Sequence, residues 1–177
     1  RYDLVRDRII IPLRNKQGGL IGVKGRYIED TDDVIKYYIY WQDKYPIRTN
    51  LEFYNLHRAL PSIIEGKQVI IMEAEKSCLQ LYPEYKNIIA LGCSNLSFAQ
   101  RKILQDLVLN HQIQIIFAFD QGLNLEQVFQ QHEVQMLKKY TTLYYIQTDT
   151  LGEKESPADR GVEFFRELLK NKLTVIQ

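Results

Sequence analysis

Gln68-Val69-Ile70-Ile71-Met72-Glu73-Ala74-Glu75-Lys76-Ser77 sets a short apolar strand directly against carboxylates. The pattern returns in Ile115-Ile116-Phe117-Ala118-Phe119-Asp120, and a third run, Leu143-Tyr144-Tyr145-Ile146-Gln147, is followed by Asp149, Glu153, Glu155 and Asp159. Apolar runs of this length without alternation suit strands covered on both faces, as in a parallel sheet. Strands are expected at 68–72, 87–91, 112–119 and 142–147, and amphipathic helices at 76–82, 98–109, 125–139 and 158–169. Ser97, three residues ahead of Gln100, has the spacing of a capping box. Strand and helix in alternation predict an α/β fold, with a central parallel sheet, right-handed crossovers and helices on both faces.

Toward the N-terminus the hydrophobic period changes. Ile9-Ile10-Ile11-Pro12-Leu13, a turn from Asn15 to Gly19, and a second strand through Leu20, Ile21 and Val23 read as a β-hairpin, with Gly18 and Gly19 free to take positive φ. An acid-rich stretch at 29–33 follows, and then Tyr37, Tyr38, Tyr40 and Trp41, an aromatic cluster read as packing. The change of pattern near Leu60 predicts an N-terminal α+β subdomain over 1–60 and an α/β domain over 61–177.

The chain has 177 residues, 45% hydrophobic and 25% charged, with 9 Gly and 5 Pro, values that exclude a disordered, collagen-like, coiled-coil or disulfide-framework protein. Cys78 and Cys93 lack metal or disulfide spacing and are expected as buried thiols in a reducing compartment. His57, His111 and His132 have no ligand spacing either, so surface or capping roles are expected. No apolar run approaches the roughly 18 residues of a membrane span. The opening at Arg1, with no signal-peptide core, reads as a piece of a longer intracellular, cytoplasmic protein that does not engage a membrane.

The net charge of +1 conceals a gradient. Residues 1–26 hold seven basic residues against two acids, a net of +5, whereas residues 61–177 hold 12 basic and 14 acidic residues. A basic stretch is either a solvated surface or a face for phosphates. In an open parallel sheet the ligand site lies beyond the carboxyl ends of the strands, which is where Glu73, Asp120 and the acidic loop fall. Carboxylates gathered there are a donor set for Mg²⁺ or Mn²⁺. Acids that cap helices or start turns, or a response-regulator or flavodoxin-like domain, give the same outline.

Specific residues narrow the choice. Glu73-Ala74-Glu75-Lys76-Ser77 resembles the Glu-Gly-x-x-Asp or Glu-Gly-Glu-Lys motif that opens the Toprim domain of bacterial DnaG-type primases. Ala90-Leu91-Gly92-Cys93-Ser94-Asn95-Leu96-Ser97 is similar to that family's Leu-Gly-Thr-Ser segment, and Phe119-Asp120-Gln121-Gly122 stands at its Asp-x-Asp. Arg8 to Asn15, with Gly19, Ile21-Gly22 and Gly25-Arg26, resembles the hairpin of the primase N-terminal subdomain. Lys44-Tyr45 and Phe53-Tyr54-Asn55-Leu56 are similar to two further family segments, and the series keeps its order along nearly the whole chain.

The resemblance implies a primase catalytic core, encoded by a phage or mobile element, that makes short RNA primers on single-stranded DNA from ribonucleoside triphosphates with Mg²⁺ or Mn²⁺. A replicative helicase is an implied partner. It assigns Glu73 as base or metal ligand, Asp120, Glu155 and Asp159 as metal ligands, and Arg26, Lys44, Tyr45 and Lys76 to template or nucleotide, with Arg8 and Arg14 in support. Lys76 also reads as half of a solvated pair with Glu75. Gly122 replaces the second Asp of Asp-x-Asp, Ala74 a Gly, and Ser77 the Asp of the first motif. Glu75, Asp149 and Glu126 are candidates for the missing carboxylate. Two other readings are a catalytically reduced Toprim module that binds DNA or a helicase, and a Toprim nuclease or topoisomerase fragment.

Overall fold

The computed structural model describes residues 7–29, 35–40 and 48–176. Strands β1 (Arg8–Arg14) and β2 (Leu20–Tyr27) form the hairpin, in antiparallel register from Arg8 opposite Tyr27 to Leu13 opposite Gly22. Its turn is closed by the Asn15 side chain, whose Oδ1 accepts from the N–H groups of Gln17 and Gly19 at 3.2 and 2.8 Å. Strand β3 (Tyr37–Ile39) adds to β2, and the buried Tyr40 ring lies on Gly25 so closely that a Cβ there would meet it at 2.7 Å. Of the aromatic cluster, Tyr40 is packed with Tyr38 edge-on to it, whereas Tyr37 is exposed; Trp41 lies outside the described residues.

The main sheet has the order β5-β4-β6-β7-β8, built from β4 (Gln68–Met72), β5 (Ile88–Ala90), β6 (Gln114–Ala118), β7 (Leu143–Ile146) and β8 (Leu173–Val175). All neighbours are parallel except β7 and β8. Alternate side chains feed two cores, since a strand buried on both faces must be apolar at every position. Val69, Ile71, Ile115 and Phe117 face α1 (Leu56–Gly66), α3 (Phe98–His111), α4 (Leu125–Phe129) and α5 (His132–Lys138). Ile70, Met72, Ile116 and Ala118 face α2 (Glu75–Leu81) and α6 (Val162–Asn171). Ser97 caps α3 in a reciprocal capping box with Gln100.

Several boundaries differ from expectation. The division expected at residue 60 falls inside α1, which carries Pro61 within it. Leu56, Ala59 and Ile63 share one buried face there, and tertiary packing outweighs the lost N–H of the proline. Ahead of α1, Tyr54 exchanges backbone hydrogen bonds with Ala90, and Asn55 Nδ2 donates to the Ile88 carbonyl, so the chain is joined to the large sheet from this point. The helix expected over 125–139 is two, because Gln131 is extended at ψ 139°. The last helix begins at Val162 rather than 158, after Gly161 at φ +86°. Strand β8 was not expected. Cys78 is buried, which pushes its thiol up to about 12, but Cys93 is exposed because it sits in the turn beyond β5. His57 is half-buried, beside Gly18 of the hairpin turn.

Candidate active site

Strands β4 and β6 are adjacent and in register, with Met72 opposite Ala118, so Glu73 and Asp120 leave the same edge side by side. The Asp120 backbone N–H faces the Glu73 carboxyl and favours its ionised form. Burial and the Asp120 charge raise the Glu73 carboxyl above its ordinary 4.5. Burial also raises Asp120, reinforced by Asp159 and opposed by the Ser156 hydroxyl and Lys76. Asp120 Oδ1 is buried without a hydrogen-bond partner.

The loop after β7 is stitched to the loop after β6. Gln121 N–H donates to the Glu155 carbonyl at 2.9 Å, Lys154 N–H to the Gln121 carbonyl at 3.0 Å, and Thr148 Oγ1 to Gln121 Oε1 at 2.6 Å. This brings Asp159 to the site, where Lys76 Nζ donates to its Oδ1 at 2.6 Å and the Ser156 N–H to its Oδ2 at 3.0 Å. Although desolvation acts upward on Asp159, Lys76 and the Ser156 N–H hold its carboxyl below the usual value. Beneath it, the buried Ser77 and Ser156 hydroxyls are 2.7 Å apart.

The other expected acids do not join them. Glu155 is clasped by Arg160 through two hydrogen bonds, of 2.7 and 2.8 Å, and by the Gly152 N–H. Glu75 is taken by Lys24, Asp149 is bound to Lys172 at 3.1 Å, and Glu126 lines a separate groove with Phe129 and Val175. No group of three His, Cys, Asp or Glu side chains is arranged around a metal position among the described residues. The pair Glu73 and Asp120 nevertheless fits one hard divalent cation. Its donors are all oxygen, one is buried and unpartnered, and such ions commonly take one or two carboxylates and complete their shell with water and phosphate.

Of the expected cations, Arg26 and Lys76 come together in a groove of about 320 Å³ between the hairpin and α2, walled by Ile9, Ile11 and Leu79. Arg8 is instead spent internally, on the carbonyls of Ile35 and Lys36, and Arg14 on the Gly18 carbonyl. Lys44 and Tyr45 lie outside the described residues. The residue missed in the sequence is Lys24, whose partner Glu75 is 51 positions away with no local signal to announce it.

No family model matches the chain. It is 30% identical, over 94% of its length, to the SPbeta prophage-derived uncharacterized protein YorJ of Bacillus subtilis strain 168, of which it spans 50%. It is 28% identical over 66% of its length to a DNA primase of Buchnera aphidicola, spanning 18% of that protein. The chain thus covers half or less of these relatives. In structure it is similar to the Aquifex aeolicus primase (zinc-binding and RNA polymerase domains), with a TM-score of 0.74 at 20% identity, covering 98% of this chain and 42% of that one.

Proposed function

From the premise that the chain is a homologue of the bacterial DnaG-type primases and has the fold of their catalytic core, we propose that it carries the nucleotidyl-transfer site of a primer-synthesising polymerase. The observation that carries this reading is the pairing of Glu73 and Asp120 at the ends of β4 and β6, with Lys76, which also lines the groove of Arg26, acting on Asp120. In the proposal Glu73 and Asp120 hold Mg²⁺ or Mn²⁺. The ion, when bound, neutralises charge on the phosphoryl oxygens.

The remaining work belongs to side chains. Glu73, whose carboxyl is raised by burial and by Asp120 in the ion-free site, is drawn back to its ionised form by the bound cation and serves as a ligand. Arg26 and Lys76 supply cations for phosphates, and Ile9, Ile11 and Leu79 line the same groove with apolar surface. Single-stranded DNA and ribonucleoside triphosphates are the proposed substrates, and the similarity to a prophage protein favours a phage or mobile-element origin. Metal-dependent incorporation of labelled ribonucleotides on single-stranded DNA tests the reading, with Asp120→Asn as the control expected to lose it.

Gly122 and the hold of Lys76 on Asp159 favour a second reading, a module that binds nucleic acid without extending a primer. It predicts DNA binding that is indifferent to Asp120→Asn and to divalent ions.

A further inference from the structure

Phosphoryl-transfer sites commonly use two divalent ions, which flank the transferred group and stabilise the attacking and leaving oxygens. We propose that Lys76 is a fixed cation standing on Asp159 in the place of a second ion, so that this site takes up a single divalent cation and binds phosphate through the lysine. The inference rests on the reading of Glu73 and Asp120 as a cation site.

Two positions close to the pair are closed to a carboxylate. Ser77, at the start of α2, is buried with its hydroxyl on Ser156. Gly122 holds φ at +96°, a conformation that an aspartate side chain adopts only under strain. Lys76 lies on the accessible side, with its side chain 38% exposed and its ammonium 2.6 Å from Asp159 Oδ1. An ammonium has three N–H groups, so donors remain for a phosphate oxygen. It acts on Asp120 as well, opposing the upward push of Asp159.

The charges agree. Glu75 is neutralised by Lys24, and Glu155 by Arg160. Glu73, Asp120 and Asp159 remain, and with Lys76 set against them the cluster keeps an excess of negative charge that favours a divalent ion.

Mn²⁺ binding to the whole chain, followed at neutral pH through the electron paramagnetic resonance of the free ion, tests this without any turnover. The wild type is expected to bind one Mn²⁺. Lys76→Met, which frees Asp159, is expected to take up a second Mn²⁺, and its affinity for ATP in EDTA to fall about tenfold. Lys76→Arg should keep one ion and most of the ATP affinity, and Asp159→Asn should also keep one ion. Two Mn²⁺ on the wild type, or Lys76→Met unchanged in both measurements, overturns the inference and leaves the cation site standing. A wild type that binds no Mn²⁺ overturns both.

Discussion

The Lys24 ammonium lies 2.9 Å from each carboxylate oxygen of Glu75, joining the basic hairpin to α2, the helix that follows β4. Glu75 is 4% exposed, and the Tyr37 ring covers the other side of Lys24 at 4.6 Å. Burial, reinforced by the Glu75 charge, pushes the nearby Tyr54 phenol up to about 12. The hairpin that contributes Arg26 is thereby held against the α2 end that contributes Lys76.

Lys24→Met leaves a buried carboxylate unpaired and is expected to cost about 3–5 kcal/mol. Replacing both partners, as Lys24→Met with Glu75→Leu, should recover most of that loss. Thermal unfolding of the single and double variants measures it; equal losses in both would contradict the assignment.

Glu73 and Asp120 predict a pH signature. A carboxyl raised in the folded state binds its proton more tightly there than in the unfolded chain. Stability is therefore lost as pH rises from the unfolded value through the folded one, and the loss persists at neutral pH. Glu73→Gln removes one of the two charges, so in EDTA it should unfold at a higher temperature than the wild type at pH 7. The difference should vanish below the ordinary carboxylate range, as melts across pH will show.

The hairpin arginines should separate by role. Arg26→Ala is expected to weaken single-stranded DNA binding and to make its logarithmic salt dependence shallower by about 0.7, the share of a single phosphate on a single strand. Arg8→Ala should leave that slope unchanged and lower the melting temperature, because its guanidinium serves the Ile35 and Lys36 carbonyls. Fluorescence titration at several salt concentrations distinguishes the two.

Ser97→Ala removes the capping-box hydroxyl at the start of α3 and is expected to cost about 1 kcal/mol. Urea unfolding with an unchanged slope is the check.

The large sheet was legible because the β4 and β6 sequences are apolar at nearly every position, as strands between two helical layers must be, and the capping box at Ser97 was legible because its signal is local. The change of pattern near Leu60 falls inside α1, which runs on through Pro61 on the strength of its buried face. The break at Gln131 carries no Gly or Pro to mark it, and β8 is only three residues long. At the site, Glu73 and Asp120 followed from their places at strand ends. The hold of Arg160 on Glu155 was not legible, because a side chain five residues along a loop reveals its direction only once the loop is folded. Lys24 and Glu75 meet across 51 residues, a pairing that depends on how the hairpin docks.

The most direct test of a nucleotidyl-transfer site at Glu73 and Asp120 is the rate of oligoribonucleotide synthesis on single-stranded DNA with Mn²⁺, wild type against Glu73→Gln. The expected result is metal-dependent product from the wild type and a loss of about a hundredfold or more in the variant. Equal rates in the two proteins, or no product from a chain that binds Mn²⁺ and DNA, would contradict it.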